Sequence, residues 1–547
     1  MRDADVVFRG GVVFDGSGSA ARSGTVAVRD GRIIAVDRDL DRDLIGSATE
    51  VVDLDGGMVL PGFVDAHVHP VEGGLERRAC DLSEGHTRDQ YLATIEAYAR
   101  AHPDAEWIVG GGWHSAAFPG GTPLAADLDR VVPDRPVFLS NRDHHGAWVN
   151  SAALKRAGLD RDTPDPDDGR LERDADGNPS GTLHEGARLL VHDLIPRVTD
   201  EENRLGLLEG QRYLHSFGVT SWQDAIVGEY GSHTDTGDVY LAAAQSGELT
   251  ARVVAALWWD RHSGLEQLDH LRARRAALRH EKFVATSVKI MQDGIPENRT
   301  AALLDPYLAP GCTCGTERGL AFLERDELIA AVHALDADDF QVHVHAIGDR
   351  AVRDALDAFE SVPDRLRPGA PLHHIAHLQI VHPDDVARFA TIGVAANMQA
   401  LWATFEPQMV ELNLPSLGPE RAAWQYPFAG IARSGALLCA GSDWPVTTPD
   451  PWAALHVAVN RRLPEGDPDF DPRPFYPEQA LDLGTALKAY TAGSARINSL
   501  NGTGTIAVGA VADLVVVDRD PFAGPADEIA STTTSSTWVG GQRVYGD

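Results

Sequence analysis

The middle of the chain alternates apolar, strand-like runs with longer segments of helical periodicity, and this alternation constrains the fold more than any other feature. Strands separated by helices pair in parallel, because a parallel connection needs a crossover long enough to hold a helix. Runs of this kind are expected to end at Val64, Ser221, Ile290, Val344, Ala376, Ala395 and Ala440. Between them, Thr199-Asp200-Glu201-Glu202 has the form of a capping box and opens a helix expected to reach Gly218. Pro383 starts another, with Val386, Phe389 and Ala390 toward the core and Gly393 as its stop. The order predicts an α/β fold on a parallel sheet.

The two ends have a different texture. Asp30-Gly31 separates two β-rich runs and signals a tight hairpin. Short strand-like runs return at Ala512–Asp518 and Trp538–Val544, and neither end carries enough apolar surface for a stable sheet of its own. Residues 1–60 and 500–547 are therefore expected to meet in one composite β-sandwich flanking a large domain at 61–499. Within that domain, residues from about 75 to 200 follow no βα rhythm and hold a hairpin signal at Asp176-Gly177, so they are expected to be an insertion after the first strand. The acidic run Asp165-Pro166-Asp167-Asp168-Gly169 is no EF-hand loop, since Asp168 stands where the turn needs glycine.

Composition narrows the function. With 81 Asp+Glu against 48 Lys+Arg, the net charge of −33 repels phosphate backbones and anionic membranes, which argues against nucleic-acid or membrane partners. Four cysteines in 547 residues make no disulfide framework, and Cys312-Thr313-Cys314 lacks the partners of a metal site. Acidic residues near the start and the lack of a long apolar stretch point to a cytoplasmic protein. A homodimer is left open.

Chemistry concentrates at the ends of the apolar runs. Pro61-Gly62-Phe63-Val64-Asp65-Ala66-His67-Val68-His69 is a strand closing on two histidines one residue apart. Alternation on a strand turns His67 and His69 the same way, so both can hold one metal. Val342-His343-Val344-His345 and His373-His374-Ile375-Ala376-His377 bring further imidazoles to later strands. Gly441-Ser442-Asp443 sets an acid just past an apolar run. Lys289 lies between apolar neighbours in Ser287-Val288-Lys289-Ile290, where an unpaired ammonium is costly to bury. For His343 and His374, support of a ligand, substrate contact and strand packing all remain open.

This ordered set, together with His145 before Trp148-Val149-Asn150-Ser151, Arg299-Thr300-Ala301, His345-Ala346-Ile347-Gly348-Asp349, His377-Leu378-Gln379 and Asp443-Trp444-Pro445, resembles the amidohydrolase superfamily, most closely its YtcJ-like branch, over nearly the whole chain. The resemblance implies a (β/α)8 TIM-like barrel at 61–499. It assigns His67, His69 and Asp443 to one metal and His345 and His377 to a second, with Lys289 as a carbamate bridging both. Ile295-Pro296-Glu297-Asn298 departs from the Gly/Ser-rich turn of that branch, so the loop above the metal is reshaped.

The expected activity is hydrolysis of a non-peptide C–N bond in a small molecule, an N-substituted amide or formamide. One or two divalent metals per chain, zinc foremost, would activate a water, with Asp443 as acid and base. Trp113, His145, Trp148, Arg299, Trp402 and Trp444 are the candidate substrate contacts. The alternatives are a mononuclear deaminase on the same barrel and a barrel that binds without catalysing.

Overall fold

The computed structural model describes residues 3–37, 44–230, 233–308 and 318–546. Eight strands among them form the central layer: β1 Phe63–Val68, β2 Val219–Val227, β3 Arg252–Trp258, β4 Phe283–Met291, β5 Gln341–Ala346, β6 His374–His377, β7 Ala395–Met398 and β8 Leu438–Ala440. They pair in chain order, each parallel to the next. The strands are buried almost throughout, as expected where helices cover the outside of a parallel sheet. The result is a nearly closed TIM-like barrel.

Closure between β8 and β1 comes from the chain just past their ends. The Asp443 amide donates to the His67 carbonyl at 2.8 Å and the His69 amide to the Trp444 carbonyl at 2.9 Å. Gly441 allows this approach, since a Cβ there would stand 2.6 Å from the His67 nitrogen. The residues with the most chemistry are therefore drawn together by the same contacts that shut the barrel.

One barrel strand, Arg252–Trp258, lies outside the seven expected runs. Its centre is Ala255-Ala256, and a short buried apolar run has no periodicity to separate strand from helix. Helix α1, Pro70–Glu76, follows β1 directly and packs on α2, Asp200–Ser216, whose Thr199 cap and Glu202 complete the expected capping box. The expected helix from Pro383 is two short turns, Pro383–Val386 and Arg388–Ile392. Phe389 is buried, Val386 and Ala390 are half-buried, and Gly393 ends the second turn in the left-handed region.

The two termini join in a separate eight-stranded sheet. Leu514–Val517 pairs antiparallel with Met58–Pro61, beside Val6–Val13, Arg22–Arg29 and Arg32–Asp37. Asp30 and Gly31, both at positive φ, turn the hairpin. Phe8 packs edge-on against Trp538 in the core of this sheet, and the Arg252–Asp513 ion pair at 2.8 Å ties it to the barrel.

Between β1 and β2, strands from Cys80–Asp81 to Pro179–Glu185 build a six-stranded sheet of their own. Trp113 and Trp148 are fully buried in its core around Phe118, and their indole N–H groups donate to the carbonyls of Leu139 and Leu124. This corrects the expectation that they contact substrate: an indole with its N–H satisfied inside a sheet core is a packing group. Cys312 and Cys314 lie outside the described residues.

Candidate metal centre

The strand alternation of β1 puts His67 and His69 at the C-terminal end of the barrel, where the chain after β8 delivers Asp443. Asp443 Oδ1 stands 3.1 Å from His67 Nε2 and 3.1 Å from His69 Nε2. Lys289, on β4 and 3% exposed, brings its Nζ to 3.4 Å from His67 Nε2. His345 on β5 and His377 on β6 complete the ring of side chains: their rings are 4.4 Å apart, and His377 Nδ1 is 3.9 Å from Asp443 Oδ2. All six expected ligands therefore converge on one place.

These donors suit a cation. His345 Nε2 and both ring nitrogens of His377 are buried without a hydrogen-bond partner among the described residues. Each such orphan costs about 1–3 kcal/mol, a penalty that coordination removes. Burial, reinforced by Lys289, holds His67 well below the usual imidazole range. Burial does the same for His345, helped by His377, and for His377, helped by His67. Neutral imidazole is the ligating form. Burial opposes ionisation of Asp443, yet His67 and His69 keep its carboxyl well below the normal range, so it faces the histidines as an anion. Burial lowers the Lys289 ammonium to about 8, against the pull of Asp443 and Asp224.

Behind these side chains lies a buried polar layer. His343 Nε2 contacts His67 Nδ1 at 2.9 Å, and His343 Nδ1 meets Gln223 Oε1 at 2.7 Å. Gln223 Oε1 also receives His374 Nε2 at 3.1 Å, and Asn397 reaches His374 Nδ1. Of the alternatives open for His343, support of a ligand fits this geometry: it occupies the nitrogen of His67 that faces away from the site. His374 lies one step further back, beyond Gln223.

A cavity of about 820 Å³ opens on this centre, with His67, His69, Lys289, His345, His377, Asp443, His145 and Trp402 in its lining. The Trp402 ring stacks on His377 at 5.3 Å and 7°. His145 comes from the insertion. Its Nδ1 is held by Glu185 at 2.9 Å, and Glu185 accepts from Thr300 Oγ1 at 2.6 Å. The two other expected contacts are elsewhere. Trp444 packs beneath α1 against Gly73 and Tyr213, and Arg299 turns out of the lining while Glu297 enters it.

Several residues in or behind the lining went unread in the sequence. Gln223, behind the histidines, and Asp224, in the lining, sit on β2 beyond Ser221, where that run was expected to end, and Asp224 is bonded to the Tyr240 hydroxyl at 2.7 Å. Glu72, Glu76 and His144 form a second cluster of possible ligands. Glu72 and Glu76, four apart just after Pro70, had a usable signal: that spacing places both on one helix face.

Barrel, buried histidines and carboxylate together define a metal-dependent hydrolase acting on small molecules. Residues 50–545 match the Amidohydrolase family, and the chain belongs to it, in its YtcJ-like branch. It is 30% identical to the YtcJ protein of Bacillus subtilis over 98% of this chain and 99% of the relative. It is 26% identical to the N-substituted formamide deformylase of Arthrobacter pascens over 100% of this chain and 98% of that protein. Among solved structures, an uncharacterized metal-dependent hydrolase from Pyrococcus horikoshii superposes with a TM-score of 0.73 at 26% identity, covering 95% of this chain and 99% of that one. Among the described residues no helix is long and apolar enough to cross a membrane.

Proposed function

We propose that this protein hydrolyses a non-peptide C–N bond in an N-substituted amide or formamide. His67, His69 and Asp443 would hold one zinc ion, and His345 and His377 a second. The single observation that carries this reading is the position of Asp443, whose one oxygen lies 3.1 Å from both His67 Nε2 and His69 Nε2 in the lining of the cavity. The likeness to a protein named as an N-substituted formamide deformylase supports the substrate class.

When bound, zinc supplies Lewis acidity, acidifying water and polarising the scissile carbonyl. The chain's own groups do the rest. Asp443 accepts the proton of the attacking water and passes it to the departing nitrogen, which leaves as a neutral amine. Lys289 as a neutral amine adds carbon dioxide: its nitrogen forms the new N–C bond, a proton goes to solvent, and the product is an anion in place of a buried cation. Its place beside His67 and its lowered proton affinity favour that form. The Trp402 face and the Glu185-held His145 position the substrate above the histidines.

The test is a panel of formyl, acetyl and aminoacyl amides with metal content measured on the same preparation. Release of amine and carboxylate from an N-substituted amide, with divalent metal present, is the expected result. A mononuclear deaminase is the second reading, favoured by the observation that, of the six residues, His67, His69 and Asp443 form the close-set ligand group. One metal per chain and ammonia release from an amidine-like ring would establish it instead.

A further inference from the structure

The wall of the cavity carries a second convergence of ligand groups, built from separate parts of the chain. Helix α1 places Glu72 and Glu76 on one face, four residues apart. The turn after the strand Val137–Asn141 brings His144 against them: Nδ1 is 3.3 Å from Glu72 Oε1, and Nε2 is 3.3 Å from Glu76 Oε1. His233, from the loop after β2, places Nε2 at 3.8 Å from Glu72 Oε1. One atom from each of Glu72, Glu76 and His144 lies within 4.8 Å of the other two.

We propose that Glu72, Glu76 and His144 bind a divalent metal ion of the zinc or manganese class, with His233 beside them, at a site separate from the barrel centre. Three points carry this. First, ligand atoms around a tetrahedral ion with bonds of about 2.0–2.1 Å stand about 3.3–3.4 Å apart; whichever ring nitrogen of His144 binds, one carboxylate oxygen already stands 3.3 Å from it, and one atom from each of the three residues falls within 4.8 Å of the others. Second, two carboxylates and an imidazole are the hard and borderline donors such ions take. Third, His144 Nε2 is buried and makes no hydrogen bond, although Glu76 is at 3.3 Å, so the cluster is not satisfied by its own contacts. Arg188 and His192 line the same stretch of wall, and Arg188 opposes a cation there. Two carboxylates, Glu72 and Glu76, stand against that one guanidinium.

The ion would fasten α1, which continues directly from His69, to the insertion that supplies His145. It would thereby hold two sides of the cavity in register.

The experiment is anomalous diffraction at the zinc edge on the full-length protein, purified without chelator and equilibrated with excess zinc chloride. Elemental analysis of the same preparation accompanies it. The wild type is expected to show a peak among Glu72, Glu76 and His144, apart from any at His67, His69 and Asp443. Glu72→Gln with Glu76→Gln should lose that peak and one equivalent of zinc while keeping the barrel-centre peak. His144→Gln leaves both carboxylates in place and guards against misfolding of the double variant; it should lower zinc uptake at least about tenfold in affinity. Wild-type protein with no peak there, or variants with unchanged zinc content, would make the cluster an ion-paired histidine and overturn the proposal.

Discussion

Replacing His343 by leucine tests the chain of contacts that aims His67. The His343 ring is fully buried and joins two groups, His67 Nδ1 at 2.9 Å and Gln223 Oε1 at 2.7 Å. Leucine is of similar size, so the packing loss is small. Gln223 Oε1 keeps its contact with His374 at 3.1 Å, which leaves one orphan, His67 Nδ1. One buried unsatisfied group costs about 1–3 kcal/mol in stability. The larger effect is on metal. With Nδ1 unpaired, neither the tautomer nor the ring angle of His67 is held, and loss of such an outer partner lowers metal affinity about 10–100-fold. That range corresponds to about 1.4–2.7 kcal/mol. The assay is competition for zinc against a chromophoric chelator, with thermal melting by circular dichroism on the same samples. A variant that melts within a few degrees of wild type but binds zinc with undiminished affinity would refute a role for His343 in orienting a ligand.

Asp443→Asn should fold normally and lose at least about 10²-fold in turnover, measured as amine release from the best amide of the panel; near-wild-type rates would place the proton transfer elsewhere. Lys289→Ala should lose metal and activity together, with partial recovery of both on adding a short carboxylic acid, and elemental analysis with and without the acid checks this. The buried His145–Glu185 pair sets a pH window. Although burial opposes it, His145 holds Glu185 down to about 2 from 4.5. Burial likewise opposes, and Glu185 drives, the rise of His145 above 6.5. The carboxylate's contribution is complete above about 4.5 and lost as pH falls through about 2; the imidazole's is complete below about 6.5 and fades as pH rises through its raised value. Denaturant midpoints across pH should show this pair stabilising most between those limits, and Glu185→Gln should flatten that part of the profile.

The strand ends were the most legible part of the sequence. His67 and His69 could be placed on one face because alternation is a local property of a strand, and Lys289 stood out because a lysine amid Val288 and Ile290 conflicts with its surroundings. Glycine and capping signals served equally well: Asp30-Gly31 turns a hairpin and Thr199 caps a helix, since both depend on a few neighbouring backbone groups. Arg252–Trp258 was missed because its five buried residues, Val253 to Leu257, are all apolar and give no period to read.

Tertiary structure alone decided the rest. Trp113 and Trp148 stand near motifs or loops in the sequence and were expected to contact substrate, yet the insertion has a sheet and a core of its own, and they fill it. His145 is held in the cavity lining by Glu185, 40 residues further along, which in turn accepts from Thr300, another 115 residues on. His343 against His67 spans 276 residues, and Glu72 against His144 joins a helix to a distant turn. The sequence by itself determined which residue types end each strand, because side-chain direction and capping are settled within a few residues. Which of those side chains share a cavity was decided only by barrel closure and by the docking of the insertion, because contacts between distant segments depend on the packing of the whole chain.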